Sequence, residues 1–185
     1  MKQLNQFITE YIINKKLDKP IYSEDHYDYF PETTDELIKV TRMLLDKGET
    51  NFNCIDTSKI TNMSGLFVYN IFNDSDFTGK NGDISNWNVS NVEDMNFMFK
   101  NSKFNGDISN WDVSNVKDMR YMFYDSPFNG DISNWDVSNV NYMSYMFSKS
   151  KFNGDISNWD VSNVKDMRMM FDKSPLEKNP PKWYK

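Results

Sequence analysis

The chain has 185 residues, enough for one domain or for a small domain with a cap. Its net charge is −6 and its 21 Lys and Arg residues form no cluster, which argues against a nucleic-acid-binding face, although an acidic mimic of DNA remains open. The single cysteine, Cys54, excludes an internal disulfide and any multi-cysteine metal site. Aromatic residues and methionine dominate the apolar fraction, so we expect a core built from large side chains.

No apolar run in the sequence approaches the roughly 20 residues that a membrane-spanning helix needs. The first residues, Met1 to Phe7, lack the uninterrupted apolar core of a signal peptide and have no lipidation cysteine nearby. We therefore expect no membrane span and a protein that remains in the compartment where it is made.

Residues 1–50 carry no repeat and are predicted to form a helical N-terminal cap. Apolar residues at helical spacing predict a first helix that begins near Leu4 and ends near Lys16. The sequence Thr33-Thr34-Asp35-Glu36 resembles a capping box and predicts a second helix that ends at Gly48.

A 24-residue sequence then recurs almost verbatim, with tryptophans at Trp87, Trp111, Trp135 and Trp159. Such a period indicates stacked units, none of which can bury its apolar face alone. We predict a five-repeat solenoid over residues 51–171, with a degenerate first repeat and an insertion at residues 68–80. Prolines break the period in residues 172–185, which are predicted to form a C-terminal cap in which Trp183 and Tyr184 fold over the last repeat.

Within one repeat, Ile108, Trp111 and Val113 have the apolar spacing of a leucine-rich repeat. The alternation of Trp111 and Val113 predicts a short strand, and the steps from Val116 to Phe123 predict a helical or 3₁₀ turn. The sequence therefore predicts an α/β repeat solenoid, similar to leucine-rich repeats, with short parallel strands and helical turns.

The string F-N-G-D-I-S-N-W-D-V-S-N-V-x-x-M-x-x-M-F resembles the repeat of the BspA-like leucine-rich-repeat surface proteins, also described as the mycoplasma-type lipoprotein repeat. The resemblance covers about residues 52–171. It implies a right-handed solenoid, a role in adhesion and host-protein binding, and no catalytic residues. Compact versions with a helical N-terminal cap are similar to proteins of large DNA viruses and gut bacteriophages. Because no signal peptide or lipobox is found, we expect a cytoplasmic or virion-associated protein rather than a secreted one.

The first candidate binding surface is a polar row between the inward residues of the predicted strands. Such a row could bind a basic partner or a cation, or it could be a solvated face whose side chains bond one another and the nearby backbone. Its members are Asp56, Asn88, Asp112, Asp136 and Asp160.

The second candidate surface comprises positions that differ between the repeats and are predicted to project from the convex side. Exposed Tyr and Arg are common anchors of protein interfaces, and drift at unconstrained surface positions is the alternative. The candidate residues are Arg120, Tyr121, Tyr124, Tyr145 and Arg168.

No metal or cofactor site is predicted. The oxygen donors from Asp107 to Asp112 do not match the known calcium loops, the paired methionines are interpreted as core, and His26 is interpreted as a solvated loop residue. We predict a non-enzymatic protein–protein interaction module, for a host factor or within a virion or other assembly. The alternative is a calcium- or carbohydrate-binding adhesion solenoid, and the sequence leaves the partner and the oligomeric state open.

Overall fold

The computed structural model describes residues 27–68 and 77–185. Within these ranges the secondary structure is one α-helix, α1 (Thr34–Asp46), and one short 3₁₀ helix (Pro175–Glu177). The predicted first helix, His26 and residues 69–76 of the predicted insertion lie outside the described residues.

Helix α1 begins and ends where its sequence signals predict. The Thr33 hydroxyl accepts a hydrogen bond from the Glu36 amide (3.2 Å), which satisfies one of the free amides of the first turn. At the other end Gly48 has a φ of +76°, and the Glu49 amide donates to the Leu44 carbonyl (3.0 Å), as in a Schellman cap. The buried face of the helix packs into the core of the repeats and contains Leu37, Val40, Thr41, Met43 and Leu44.

The prediction of an α/β repeat solenoid with short parallel strands is wrong. Residues 27–68 and 77–185 contain no strand and no sheet, and strand-type pairing there is limited to isolated parallel bridges, such as that between Asp94 and Asp118. Trp111 and Val113 are buried as expected, but their surroundings are turns, because the Trp111 amide donates to the Ile108 carbonyl three residues earlier (3.2 Å). The side chain of Asp112 reinforces this geometry by accepting from the Ser114 amide (3.1 Å), an Asx turn that competes with strand pairing.

The expected helical turn on the other side of the repeat is also absent. Tyr121 and Asp125 have positive φ angles of 57° and 50°, which no right-handed helix allows. Turns take the place of the helix. They are closed by hydrogen bonds such as the one that the Met122 amide donates to the Met119 carbonyl (3.2 Å). We call these stretches the turn segments and number the repeats 1 to 5 by them: residues 63–67, 95–99, 119–123, 143–147 and 167–171.

Backbone hydrogen bonds join each turn segment to the next. The amides of Met95, Phe97 and Phe99 donate to carbonyls of repeat 3 at 2.9 Å each, while the amides between them bond within their own turns. Repeats 3 and 4 use the same arrangement. The alternate amides of the turn segments thus point towards the next repeat, whereas amides just before each segment point back, as where the Lys117 amide donates to the Glu93 carbonyl (2.8 Å).

The core consists of columns of identical side chains. Phe99, Phe123 and Phe147 stack with ring centroids 5.6 Å apart, and each is fully buried. The indole of Trp111 donates to the Ile84 carbonyl of the preceding repeat (3.1 Å), so a polar atom in the core is satisfied. The prediction that the paired methionines pack in the core is confirmed for repeats 2 to 4, whose pairs have no exposed area. In repeat 5 Met170 is buried, whereas Met167 is half-buried.

Candidate interaction surface

The polar row lies on turns instead of the predicted strands. Asp112, Asp136 and Asp160 are exposed, as is Asn88, whereas Asp56 is half-buried. In every repeat the Oδ1 atom of this residue accepts from the amide of the serine two residues later, at 2.9 to 3.1 Å. The row therefore stabilises its own turns through bonds to the nearby backbone.

These local bonds lower the pKa of two members of the row. Hydrogen bonds from the Ser138 hydroxyl and amide lower the pKa of Asp136, and bonds from the Ser162 amide and hydroxyl lower that of Asp160. Each carboxylate stays charged because the turn donates to its ionised form.

Two of the predicted variable residues belong to a continuous aromatic stack. The rings of Phe97 and Tyr121 are 4.9 Å apart, those of Tyr121 and Tyr145 are 4.7 Å apart, and both pairs lie within 14° of parallel. We call Phe97, Tyr121 and Tyr145 the aromatic ladder. Each ring is half-buried, so one edge of the ladder is accessible to solvent.

The ladder residues occupy an unusual backbone position. Phe97, Tyr121 and Tyr145 have φ angles of 57° or 58°, in the left-handed region that costs a non-glycine residue about 1 kcal/mol. The equivalent residue of repeat 1 is Gly65, with a φ of 62°, and that of repeat 5 is Met169, with a φ of 53°. The amide of each ladder residue donates to the next repeat, and these bonds hold the strained conformation in place.

Lysines surround the ladder and a neighbouring tyrosine, Tyr124. The Lys100 amine lies 5.1 Å from the Phe97 ring centroid and 5.6 Å from those of Tyr121 and Tyr124. The Lys149 amine lies 5.1 Å from the Tyr124 centroid. A hydrogen bond with Tyr124 raises the pKa of Lys149 above its usual value. The surface therefore presents ring edges next to two ammonium groups.

The comparisons with known proteins find one family. The model described as "Mycoplasma protein of unknown function, DUF285" matches residues 38–127 and 125–183, most of the chain. The chain belongs to the DUF285 family. No curated protein and no solved structure matches it.

The two predicted arginines of this DUF285 chain form ion pairs with aspartates. Arg120 Nε donates to both carboxylate oxygens of Asp118 (2.9 and 3.0 Å), and the guanidinium lies 5.3 Å from the Tyr142 ring. The hydrogen bond to Asp118 raises the pKa of Arg120 above its usual value. Arg168 pairs with Asp166 at 3.4 Å.

The structure thus brings together Tyr121, Tyr145 and Tyr124 from the predicted set. Phe97 and Lys100 occupy the same variable positions of their repeat as Tyr121 and Tyr124, but the list of candidate residues did not include them or Lys149. The contacts of the two lysines with the rings could not be predicted, because they depend on turn geometry that the sequence pattern does not specify.

Metal and membrane sites receive no support from the described part of this DUF285 chain. Among residues 27–68 and 77–185, no three His, Cys, Asp or Glu side chains are grouped to hold a metal ion. None of the helices in those ranges is long and apolar enough to cross a membrane.

Proposed function

We propose that this protein is a non-enzymatic interaction module that binds a protein partner through the aromatic ladder and its lysines. The observation that carries the proposal is that aromatic side chains occupy a position with positive φ. Glycine, as at Gly65, fits this position without strain. Strain at positions that present surface side chains is typical of functional sites.

The physical form of the ladder supports binding. Its rings are fixed by stacking and by bonds from their own amides, so little conformational entropy remains to be lost on association. Tyrosine is enriched among the residues that contribute most to interface affinity. Lys100 and Lys149 add donors that an acidic or carbonyl group of the partner could accept.

The orientation of the rings favours a protein over a sugar. Because Tyr121 is stacked on both faces and Phe97 and Tyr145 are each stacked on one, the ladder presents chiefly ring edges and the two tyrosine hydroxyls. A sugar ring that stacks on an aromatic side chain needs an open ring face. A protein surface can pack against ring edges and pair with the hydroxyls. The resemblance to BspA-like surface repeats adds host factors and virion or other assembly components as candidate partners.

The test compares three forms of the protein as bait in the native source. The double variant Tyr121→Gly with Tyr145→Gly removes two rings and leaves the residue type that the backbone prefers. The control variant, Asn110→Ala with Asn134→Ala, changes two exposed residues in other positions of the repeats. The proposal expects a protein that the wild type and the control retain and the ladder variant loses. Retention of the same proteins by all three forms would show that the ladder is not the binding surface.

A further inference from the structure

The stack of repeats has a direction, because its inter-repeat amides all point one way along the turn segments. In repeat 4, the amides of Met143, Tyr145 and Lys149 donate to carbonyls of repeat 5 at 2.8, 3.1 and 2.7 Å. The turn-segment bonds of repeats 1, 2 and 3 run in the same sense. The accepting carbonyl and the next donating amide belong to one peptide unit, as at Asp166 and Met167, so the bonds form continuous columns.

These columns end in unused donors. The residues of repeat 5 that correspond to the donors of repeat 4 are Met167, Met169, Phe171 and Lys173. In the part of the chain that the structure describes, no acceptor is bonded to the amides of Met167, Met169 or Phe171. The Lys173 amide donates to the Glu177 carboxylate at 3.2 Å. We call the amides of these four residues the donor edge.

The donor edge is electrostatically positive for the same reason as the start of an α-helix. Aligned peptide dipoles in a hydrogen-bonded column add up and leave a partial positive charge at the end with free amides. Successive amides in alternating right- and left-handed conformations form concavities that bind anions. Glu177 already places a carboxylate against one end of the edge.

Apolar surface lies next to the donor edge. Met169 is 47% exposed, more than any other large hydrophobic residue among those described. Val161, Val164 and Met167 are half-buried, whereas their equivalents in repeat 4 are buried. The C-terminal residues cover the rest of this end, where Trp183 packs on Trp159 and Tyr184 lies against the buried Phe171, with ring centroids 4.9 Å apart. The accessible part of the donor edge is therefore at Met167 and Met169. A ligand at the edge would therefore meet free amides and an apolar floor together.

We propose that the donor edge docks an acidic peptide segment of a partner protein. Carboxylates of the peptide accept from the Met167 and Met169 amides, as Glu177 does from Lys173, and apolar side chains between them cover Met169 and Val164. Lys165 and Lys173, both exposed, add positive charge. Arg168, whose side chain is 74% exposed, is paired with Asp166, so it offers hydrogen-bond donors to the ligand and offsets the charge of Asp166.

A second copy of the chain is a poorer occupant. Two donor edges pair poorly, because the free amides of Met167 and Met169 in one copy would face the same amides in the other, although each edge also carries the Lys165 carbonyl, which corresponds to the accepting carbonyls of Lys117 and Asn141. The complementary carbonyl end lies at repeat 1, where helix α1 is packed and the Thr34 hydroxyl already donates to the Asn62 carbonyl at 2.6 Å. The acidic peptide therefore fits the edge without displacing part of the fold.

The test uses two labelled peptides of alternating residues, Glu-Leu and Gln-Leu, and fluorescence anisotropy. The edge variant combines Arg168→Glu with Met169→Asp, which places carboxylates at the edge. The control combines Lys151→Glu with Asn153→Asp, which changes the net charge equally at exposed positions outside the edge. We expect the Glu-Leu peptide to bind the wild type and the control, and the edge variant about tenfold more weakly or worse. The Gln-Leu peptide should bind the wild type about tenfold more weakly, because neutral acceptors bond less strongly than carboxylates.

Amide hydrogen exchange locates the bound peptide. We expect the amides of Met167 and Met169 to exchange more slowly when the Glu-Leu peptide is bound. Equal affinity for the two peptides, or equal affinity of the edge variant and the control, would overturn the proposal. So would a wild type that binds neither peptide, or one that forms dimers in sedimentation velocity that the edge variant does not form.

Discussion

The indole ring of Trp183 stacks on that of Trp159, with centroids 6.4 Å apart and planes 12° from parallel. Its Nε1 donates to the Ile156 carbonyl at 2.9 Å, as the tryptophans of repeats 3 to 5 do to the residue 27 positions earlier. Trp183 lies 24 residues after Trp159, so the tryptophan position of the repeat recurs once more within the predicted C-terminal cap. The prolines of this segment exclude a sixth full repeat, but they leave the tryptophan column intact.

Removal of this ring should destabilise the last repeat. We expect Trp183→Ala to lower the free energy of unfolding by about 2 kcal/mol, less than for a fully buried tryptophan because Trp183 is half-buried. The change also leaves the Ile156 carbonyl without its donor. Urea denaturation followed by circular dichroism measures the effect. Lys182→Ala, an exposed neighbour, is the control, and equal stability of the two variants would contradict the role of the column.

The core could be predicted from the sequence, whereas the path of the backbone could not. Met119, Met122 and Phe123 recur at fixed positions and are fully buried, because identical units can stack only by matching identical apolar side chains. The alternation of Trp111 and Val113 fits a strand and a turn equally well. The Asx turn at Asp112 decides between them, and its hydrogen bond has no signature in apolar periodicity.

The candidate surfaces could also be predicted from the sequence only in part. Sequence variation identified Tyr121 and Tyr145, but propensity gives no reason to place a tyrosine at positive φ. The ladder exists because inter-repeat bonds from these amides fix that conformation. The donor edge is a consequence of peptide orientation, which side-chain patterns do not encode.

The strain at the ladder position can be measured by exchanging residue types. Gly65→Ala should lower the free energy of unfolding by about 1 kcal/mol, since alanine disfavours a φ of 62°. A Cβ atom at this position would meet only the Val68 side chain at an ordinary 3.6 Å, so packing adds little to the change. Chemical denaturation gives the value directly.

The same strain predicts that, at position Tyr121, a glycine variant is more stable than an alanine variant, the reverse of their usual order. We expect Tyr121→Gly to be more stable than Tyr121→Ala by about 1 kcal/mol, although glycine is the less stabilising residue in ordinary structure. The two variants lose the same ring stacking, so their difference isolates the backbone. The usual order, with alanine more stable, would show that the position is not strained.

Stability should fall in acid through the Asx turns. The folded pKa values of Asp136 and Asp160 lie below their unfolded value near 3.8, so their contribution is fully present above that pH and is lost as the pH falls through the folded values. We expect the urea midpoint to decrease between about pH 6 and about pH 3. The double variant Asp136→Asn with Asp160→Asn should show a smaller decrease, because asparagine does not titrate.

Repeat 2 provides the natural precedent for that variant. Asn88 occupies the same position and accepts from the Ser90 amide (3.1 Å) and hydroxyl (2.7 Å), so the amide side chain preserves the turn. The variant should therefore match the wild type near neutral pH. An acid response as steep as that of the wild type would show that other carboxylates cause the loss of stability.

A column of asparagines joins the repeats through side-chain hydrogen bonds. Asn139 Nδ2 donates to the Ser114 carbonyl of the preceding repeat at 2.8 Å, and Asn115 makes the same bond to Ser90 at 2.7 Å. Asn139→Asp replaces the donor with a carboxylate that faces a carbonyl oxygen, which we expect to cost about 1 to 2 kcal/mol. Asn134→Asp changes the charge equally at an exposed asparagine that makes none of the described side-chain bonds. Thermal unfolding should distinguish the two variants near neutral pH, and similar losses for both would mean that charge alone, not the inter-repeat bond, determines the effect.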